Sequence, residues 1–537
     1  MSARRSASWL LLLLVLALTA CGDDEEPSAT PSPQPISVFL NPIDADLAER
    51  VRAAADRLAA ETAVQVVFPQ APPLVTTPAV DVSSEVRSSR AETPVRYWAA
   101  LAPFWSELDA FDLAALPEGA TFYLPEEYRP GLKQILGTSI SGRVIRWLPA
   151  AEVAAAVAAD PAGLAFLPVE LADPRLRSLE VNGVDLLRGG DPARSRLVER
   201  LWLTWDSPAA EGFGRALALR LTVPAPPVVR LVATGDIIPA RCVYARHRAL
   251  DDYTSAFRDT ADLLRAAEIT VGSLDAALSD AGAPIACEQT FNLLAPARSV
   301  DGLAFAGFDV VTVATNHAKD CGAPGGCGDR SFLDTLANLR AAGIEPVGGG
   351  EDLAQAHKPV VLERRGLRFA FLAYDDVASS YLGAGEGRPG TAALSAESLT
   401  ADIAAARRLA DVVIVLCQWG SEYTPTASQR QRDLARLAID AGATLVVGNH
   451  PHVVQGVEWR GDGFIAYALG NFVFDQDWSV ETQQGFVLEA AFVGSRLASV
   501  RLLPIRIVDM HRPTWASENE ARSILQRIRA ASAALSP

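Results

Sequence analysis

From residue 228 onward the chain alternates short apolar runs with segments of helical spacing. The runs are VVRLVATGD (228–236), ITVGSLD (269–275), VVTVATNH (310–317), RFAFLAYD (368–375), VVIVLCQWG (412–420), TLVVGNH (444–450), FIAYALGNFVF (464–474) and GFVLEAAF (485–492). Amphipathic stretches fall between them at about 253–267, 331–342, 399–410 and 428–441. Strands that lack a polar face must be covered on both sides, so this order predicts an α/β domain with helices over its sheet. No internal repeat at a fixed period competes with that organisation.

Five of these runs end in residues that carry chemistry: Asp236, Asp275, Asn316 with His317, Gln418, and His450 with His452. In open α/β folds the ligand crevice lies beyond the carboxyl ends of the strands, so five strand ends direct oxygen and nitrogen donors into one region. Carboxylate, amide and imidazole donors together suit zinc, manganese or iron rather than calcium, whose sites are built almost wholly of oxygen. In His450-Pro451-His452 the two imidazoles share a side if the segment is extended, with Pro451 restricting the backbone between them. Taken singly, an Asp after a strand caps a helix and a lone His is a satisfied core residue. Three of the six histidines fall inside the pattern, which weighs against that account.

The start of the chain is of another kind. Arg4 and Arg5, an apolar run from Trp9 to Leu18, and Leu18-Thr19-Ala20-Cys21 have the order of a secretory signal in residues 1–21, with a small-residue cleavage site. The run is shorter than the ~20 apolar residues a membrane span requires. The four residues resemble a lipobox, which implies that Cys21 is lipidated and that the protein is exported and anchored on the outer face of the bacterial cytoplasmic membrane. Residues 22–35 are acidic and then rich in Pro, Ser and Thr, and read as a flexible stalk. Residues 36–223 have helical spacing at 44–61 and 150–159 and short apolar runs such as VQVVF and GLAFLP, which predicts a smaller α/β domain. That stretch has no His or Cys and only faintly resembles part of a periplasmic solute-binding lobe. A Pro-rich break at 223–227 precedes the larger domain, taken as 228–510, and a helical tail is expected over 511–537. A formal net charge of −16 argues against nucleic acid or anionic lipid as a partner.

Besides Cys21 the chain has Cys242, Cys287, Cys321, Cys327 and Cys417. An exported location permits disulfides. Cys321 and Cys327 sit in a Gly-rich loop where a local bridge is sterically easy, a Cys242–Cys287 bridge then remains by elimination, and Cys417 lies in an apolar run as a buried thiol. A zinc site is the rival reading, but the Cys-x-x-Cys pairs and nearby histidines it usually needs are absent.

The segments LVATGDIIPAR (Gly235, Asp236, Arg241), TVATNHAKDCG (Asn316, His317, Asp320, Gly322) and the long stretch 418–476 resemble the opening, middle and closing motifs of the CapA family (poly-γ-glutamate capsule biosynthesis). That family is a branch of the calcineurin-like metallophosphatase fold. The resemblance implies an α/β sandwich and a two-metal site, with one or two divalent transition metals (Mn, Zn or Fe). Asp236 and His452 would hold the first metal, Asp275 would bridge, and Asn316, Gln418 and His450 would hold the second. His317 would protonate a leaving oxygen or hold the phosphoryl charge. Two metals about 3.5–4 Å apart lower a water's pKa and stabilise both oxygens of a displacement. The implied partners are a phosphate ester or envelope polymer, the membrane through the lipid anchor, and other capsule-assembly proteins.

Four positions depart from the family's pattern: Asp275 stands for Glu, Thr315 for Asn, Asn449 for a small residue and Gln418 for His. An amide oxygen is the weaker ligand for these metals. The resemblance therefore leaves two readings, a metal-dependent hydrolase and a non-catalytic envelope protein that binds or helps export a polyanion. Of the smaller signals, Arg241 either clamps an anionic oxygen or forms an ion pair. Asp320 and Lys319 either orient His317 from behind or pair with each other. Glu422 and Tyr423 either line the pocket or pack ordinarily. Phe472, Phe474 and Trp478 read as core and rim, and His247, His357 and His511 as surface or structural.

Overall fold

The computed structural model describes residues 35–40, 43–69, 79–83, 91–323 and 325–535. The expected signal, Cys21 and nearly all of the stalk lie outside them. Among the described residues no helix is long and apolar enough to cross a membrane.

The larger domain is built on two sheets. In the first, the strands run in the order Glu345–Val347, Val310–Thr312, Ile269–Leu274, Val228–Ile237, Gln484–Val493, Arg496–Val508 and Arg512–Trp515. The first four are parallel and the last three antiparallel. The second sheet runs Val360–Arg364, Leu367–Asp375, Val412–Gln418, Leu445–Asn449, Gly463–Ala466 and Val457–Arg460, with the inner four parallel.

Alternation along each strand explains why both faces are apolar. Leu231, Ala233 and Val271 of the first sheet face Phe369, Phe371, Ile414 and Leu416 of the second in one central core. Val232 and Val311 point the other way, against Phe308, Phe332 and Leu336. On the far side Leu372, Val415 and Val446 meet Leu399, Ile403, Leu434 and Ala438. The result is a helix–sheet–sheet–helix sandwich, the α/β architecture that the resemblance implies. Truncating a side chain such as Ile414 to Ala in the central layer costs about 2–5 kcal/mol.

Local chemistry sets the element ends. Ser428 caps the helix Gln429–Ala441, with its N–H donating to Gln431 Oε1 at 2.8 Å and its Oγ accepting from Gln431 N at 3.3 Å. The helix expected over 253–267 is instead a short turn, Ser255–Phe257, and a separate helix, Ala261–Ala266. Asp252 Oδ1 accepts from the N and Oγ1 of Thr254 at 2.9 and 2.6 Å and holds the chain in a turn. Likewise Val310–Thr312 ends early, where Thr312 Oγ1 accepts from Ala314 N at 3.1 Å. The run 464–474 divides between the sheets: Gly463–Ala466 belongs to the second and Asn471–Val473 lies beside Val228–Ile237 in the first. At that crossing a Cβ on Gly235 would meet Gly470 O at 1.9 Å, so the Gly before Asp236 is a steric requirement. The tail expected from 511 begins inside a hairpin, because Arg512–Trp515 pairs with Arg496–Val508. The helix Glu518–Ala533 follows and buries Ile524 and Ile528 in the central core.

In the smaller domain the strands Ile36–Leu40, Ala79–Ser83, Val198–Trp205, Ala91–Pro103, Gly163–Pro168, Thr121–Pro125 and Val144–Leu148 follow one another in one sheet. Helices Ala45–Thr62 and Pro208–Leu221 cover part of it. It docks on the sandwich through Phe104, whose ring meets Trp459 at 4.6 Å, and through Trp459 Nε1, which donates to Pro174 O at 3.1 Å. Disulfides join Cys242 to Cys287 and Cys321 to Cys327, and Cys417 is a buried free thiol.

Candidate functional site

The carboxyl ends of both sheets open onto one region. Asp236 is the penultimate residue of its strand and fully buried. Its Oδ2 accepts from His450 N at 3.2 Å and lies 3.3 Å from His452 Nδ1, so the first and last motifs of the domain meet there. The segment between the two histidines is not extended. His450 and His452 both have left-handed backbones, with φ of 94° and 57°. The expected i, i+2 alignment is thus replaced by a strained turn, at about 1–3 kcal/mol per residue, that sets the imidazole centroids 5.9 Å apart.

Asp275, from the neighbouring strand end, is also fully buried. Neither of its carboxylate oxygens has a hydrogen-bond partner, and Asp236 Oδ1, Asn449 Oδ1 and His450 Nδ1 are likewise buried without one. Leaving such a group unsatisfied costs about 1–3 kcal/mol, more when it is charged. Burial pushes the Asp275 carboxyl up, His317 pulls it down and Asp236 adds to the upward push; the net shift is upward. Buried anionic oxygens and an imidazole nitrogen facing no donor form a set that fits a cation.

His317 stands beside this set with Nδ1 2.6 Å from Asp320 Oδ2. Burial pulls its imidazolium down, but Asp275 and then Asp320 outweigh that and hold it up at about 9. Asp320 Oδ2 also accepts from Leu293 N at 2.6 Å, which fixes the carboxylate. Lys319 does not pair with Asp320; its Nζ reaches Asp329 Oδ1 and Pro389 O, each at 2.7 Å.

Three of the expected site residues have protein partners. Asn316 and Gln418 hydrogen-bond to each other, Gln418 Nε2 donating to Asn316 Oδ1 at 3.2 Å, and Ser273 Oγ reaches Gln418 Oε1 at 3.4 Å. Each amide therefore has a protein partner. Glu422 joins the site: its carboxylate and the ring nitrogens of His450 and His452 lie within 4.8 Å of one another. A turn at Gly420, φ 85°, reverses the chain after Trp419 and returns Glu422 to the site. Arg241 is not free to clamp an anion, because its Nε lies 3.1 Å from both oxygens of Asp475, which also receives NH2, and NH1 donates to Thr290 O at 3.2 Å. It ties its helix to two loops.

Asn471 went unnoticed in the sequence. Its Oδ1 accepts from His452 Nδ1 at 2.8 Å, while Nδ2 donates to Gln476 Oε1 at 3.1 Å and Thr482 O at 2.9 Å. That bond leaves His452 Nε2 as the atom free to ligate. The only signal for it was the polar interruption of the run 464–474. Of the two alternatives for His247 and His511, surface or structural, burial fits the structural one; their ring centroids lie 6.2 Å apart, and His357 Nδ1 lies 2.7 Å from Asp402 Oδ2.

Residues 230–476 match the family profile described as "Bacterial capsule synthesis protein PGA_cap". The chain is 31% identical over 285 residues to the PGA biosynthesis protein CapA of Bacillus subtilis, covering 52% of this chain and 72% of that protein. It is also 31% identical over 284 residues to the capsule biosynthesis protein CapA of Bacillus anthracis, covering 52% and 67%. Among solved structures it is similar to the NAD nucleotidase of Haemophilus influenzae, at 13% identity and a TM-score of 0.33, over 57% of this chain and 56% of that one.

Proposed function

Since this chain belongs to the CapA family of bacterial capsule synthesis proteins, we propose that it is a metal-dependent phosphoesterase-type hydrolase of capsule or exopolymer assembly, lipid-anchored through Cys21. One observation carries the reading: Asp236 Oδ1, both oxygens of Asp275 and His450 Nδ1 are buried with no hydrogen-bond partner. With Glu422 and His452 they form a donor set of carboxylates and imidazoles suited to a divalent transition metal. A metal held there supplies positive charge to a phosphoryl oxygen and lowers the pKa of a nearby water. Asp236 and Asn471 orient His452. Asp320 holds the proton of His317 on Nδ1, so Nε2 is the atom that gives a proton to the leaving oxygen.

The second reading, a binder without turnover, draws support from the Gln418–Asn316 pair, in which Asn316 Oδ1 already accepts a hydrogen bond. Metal analysis of the purified protein, with hydrolysis of generic phosphate esters in added manganese, separates the two. Under the hydrolase reading the protein carries about one or two equivalents of metal, the double change His450→Ala, His452→Ala empties it, and esters are cleaved. Metal without turnover favours the binder, as does the absence of both metal and turnover.

A further inference from the structure

Two large aromatic side chains stand in solvent beside the buried donor set: Tyr423 is 45% exposed and Trp478 53%. A single exposed aromatic needs no explanation. Here, however, the geometry is tied to the site. The Tyr423 ring lies 6.2 Å from the ring of His452, and Trp478 meets Tyr423 edge-on at 5.8 Å with 76° between the planes.

The fold also holds Tyr423 in an uncommon backbone state. Its φ is 57°, a left-handed value that a bulky residue rarely adopts and that persists only where surrounding contacts over-determine it. Those contacts are present. Tyr423 N donates to Pro451 O at 2.8 Å, between the two histidines, and Gln476 Nε2 donates to the Tyr423 hydroxyl at 3.0 Å. Gln476 Oε1 in turn accepts from Asn471, whose Oδ1 accepts from His452. One chain of hydrogen bonds thus fixes the exposed ring relative to a ligand of the site. A ring locked in this way and left nearly half exposed is pre-organised for something that arrives from outside.

The angle selects the class of ligand. A flat base is gripped between parallel faces, and two planes at 76° form a corner instead. A pyranose has one apolar C–H face that lies on a single aromatic ring, while its hydroxyls point to water. We infer that Tyr423 and Trp478 form a specificity platform for the sugar ring of a glycosyl phosphate whose phosphoryl group lies at the donor set. This inference rests on the hydrolase reading of that site and narrows its substrate class.

Titration calorimetry on the manganese-loaded protein tests it with three probes, inorganic phosphate, glucose 1-phosphate and methyl α-glucoside, and with AMP as the competing ligand class. Wild type is expected to bind glucose 1-phosphate about tenfold more tightly than phosphate, the scale of one ring contact. In Trp478→Ala that advantage disappears while phosphate affinity is unchanged, and Tyr423→Phe, which keeps the ring, retains it. Equal affinity for phosphate and glucose 1-phosphate in wild type overturns the platform, as does tighter binding of AMP than of glucose 1-phosphate. Equal weakening of both ligands by Trp478→Ala also overturns it. If phosphate fails to bind but methyl α-glucoside does, and Trp478→Ala abolishes that, the platform stands and the hydrolase reading fails. Binding of none of the three overturns both.

Discussion

Replacing Asn471 with Leu separates support of the site from support of the fold. The side chain is 1% exposed and makes three hydrogen bonds, one to His452 Nδ1 and two donated to Gln476 Oε1 and Thr482 O. Leu has nearly the same volume and none of these groups. Two buried acceptors lose their donor, at about 1–3 kcal/mol each before relaxation. His452 also loses the nearer of the two oxygens that hold its Nδ1, and loss of such a partner typically lowers metal affinity about 10–100-fold, or roughly 1.4–2.8 kcal/mol. Asn471→Asp provides the contrast, since a carboxylate still accepts from His452 Nδ1 but cannot donate to Thr482 O. Manganese titration by calorimetry, with thermal melts in chelator alongside, is expected to show both variants destabilised and only Asn471→Leu weakened in metal binding. A folded Asn471→Leu protein that binds manganese within about twofold of wild type would refute the argument that His452 ligates through an imidazole oriented by Asn471.

Three further outcomes follow from other parts of the molecule. Gln418→His removes the donor that occupies Asn316 Oδ1 and adds an imidazole, so metal content per chain, measured by mass spectrometry, rises; unchanged content means that position 418 does not face the metal. Burial and the adjacent His511 pull His247 down to about 4 from an ordinary 6.5, so the native state binds fewer protons than the unfolded chain between those values. Stability is then present above pH 6.5 and falls as pH drops through the window toward 4, by up to about 3 kcal/mol, and His247→Leu flattens this slope in denaturant melts. Removing the Cys242–Cys287 bridge, which spans 45 residues, by changing both cysteines to Ala lowers stability by about 2–4 kcal/mol in the same melts.

Elements defined by burial were legible in the sequence. Val412–Gln418 and Gly463–Ala466 read as strands because both faces meet apolar layers, and Gln429–Ala441 as a helix because its cap and spacing agree. Features defined by a single side-chain bond were not. Nothing in the spacing of 253–267 shows that Asp252 captures Thr254 and breaks the helix. Nor could alternation show that the run 464–474 crosses between sheets, since each half is apolar for its own reason. The strand-end rule brought Asp236, Asp275, His450 and His452 together because all lie at or just beyond the carboxyl ends of parallel strands. Asp375 ends its strand in the same way but accepts from Val377 and Ala378 N at 2.8 and 2.9 Å and serves as a turn cap. Only the hydrogen-bond partners distinguish a carboxylate that caps from one that waits for a cation.

That distinction also bears on the choice between hydrolase and binder. In Gln418 the amide does more than weaken a ligand, because its Nε2 turns toward Asn316 and gives both groups a protein partner. What remains is Asp236, Asp275 and Glu422 with the two imidazoles. Three carboxylates carry a formal charge of about −3 and the His317 imidazolium about +1, so one divalent cation leaves the centre about neutral and two make it positive. A dianionic phosphate ester gains little in the first case and is attracted in the second, so the net charge of the centre governs binding. The number of cations held, more than the identity of the metal, therefore separates turnover from mere binding. Phosphate affinity measured against manganese occupancy should rise only as the second equivalent enters; affinity already complete at the first would show that the carboxylates do not act together at one centre.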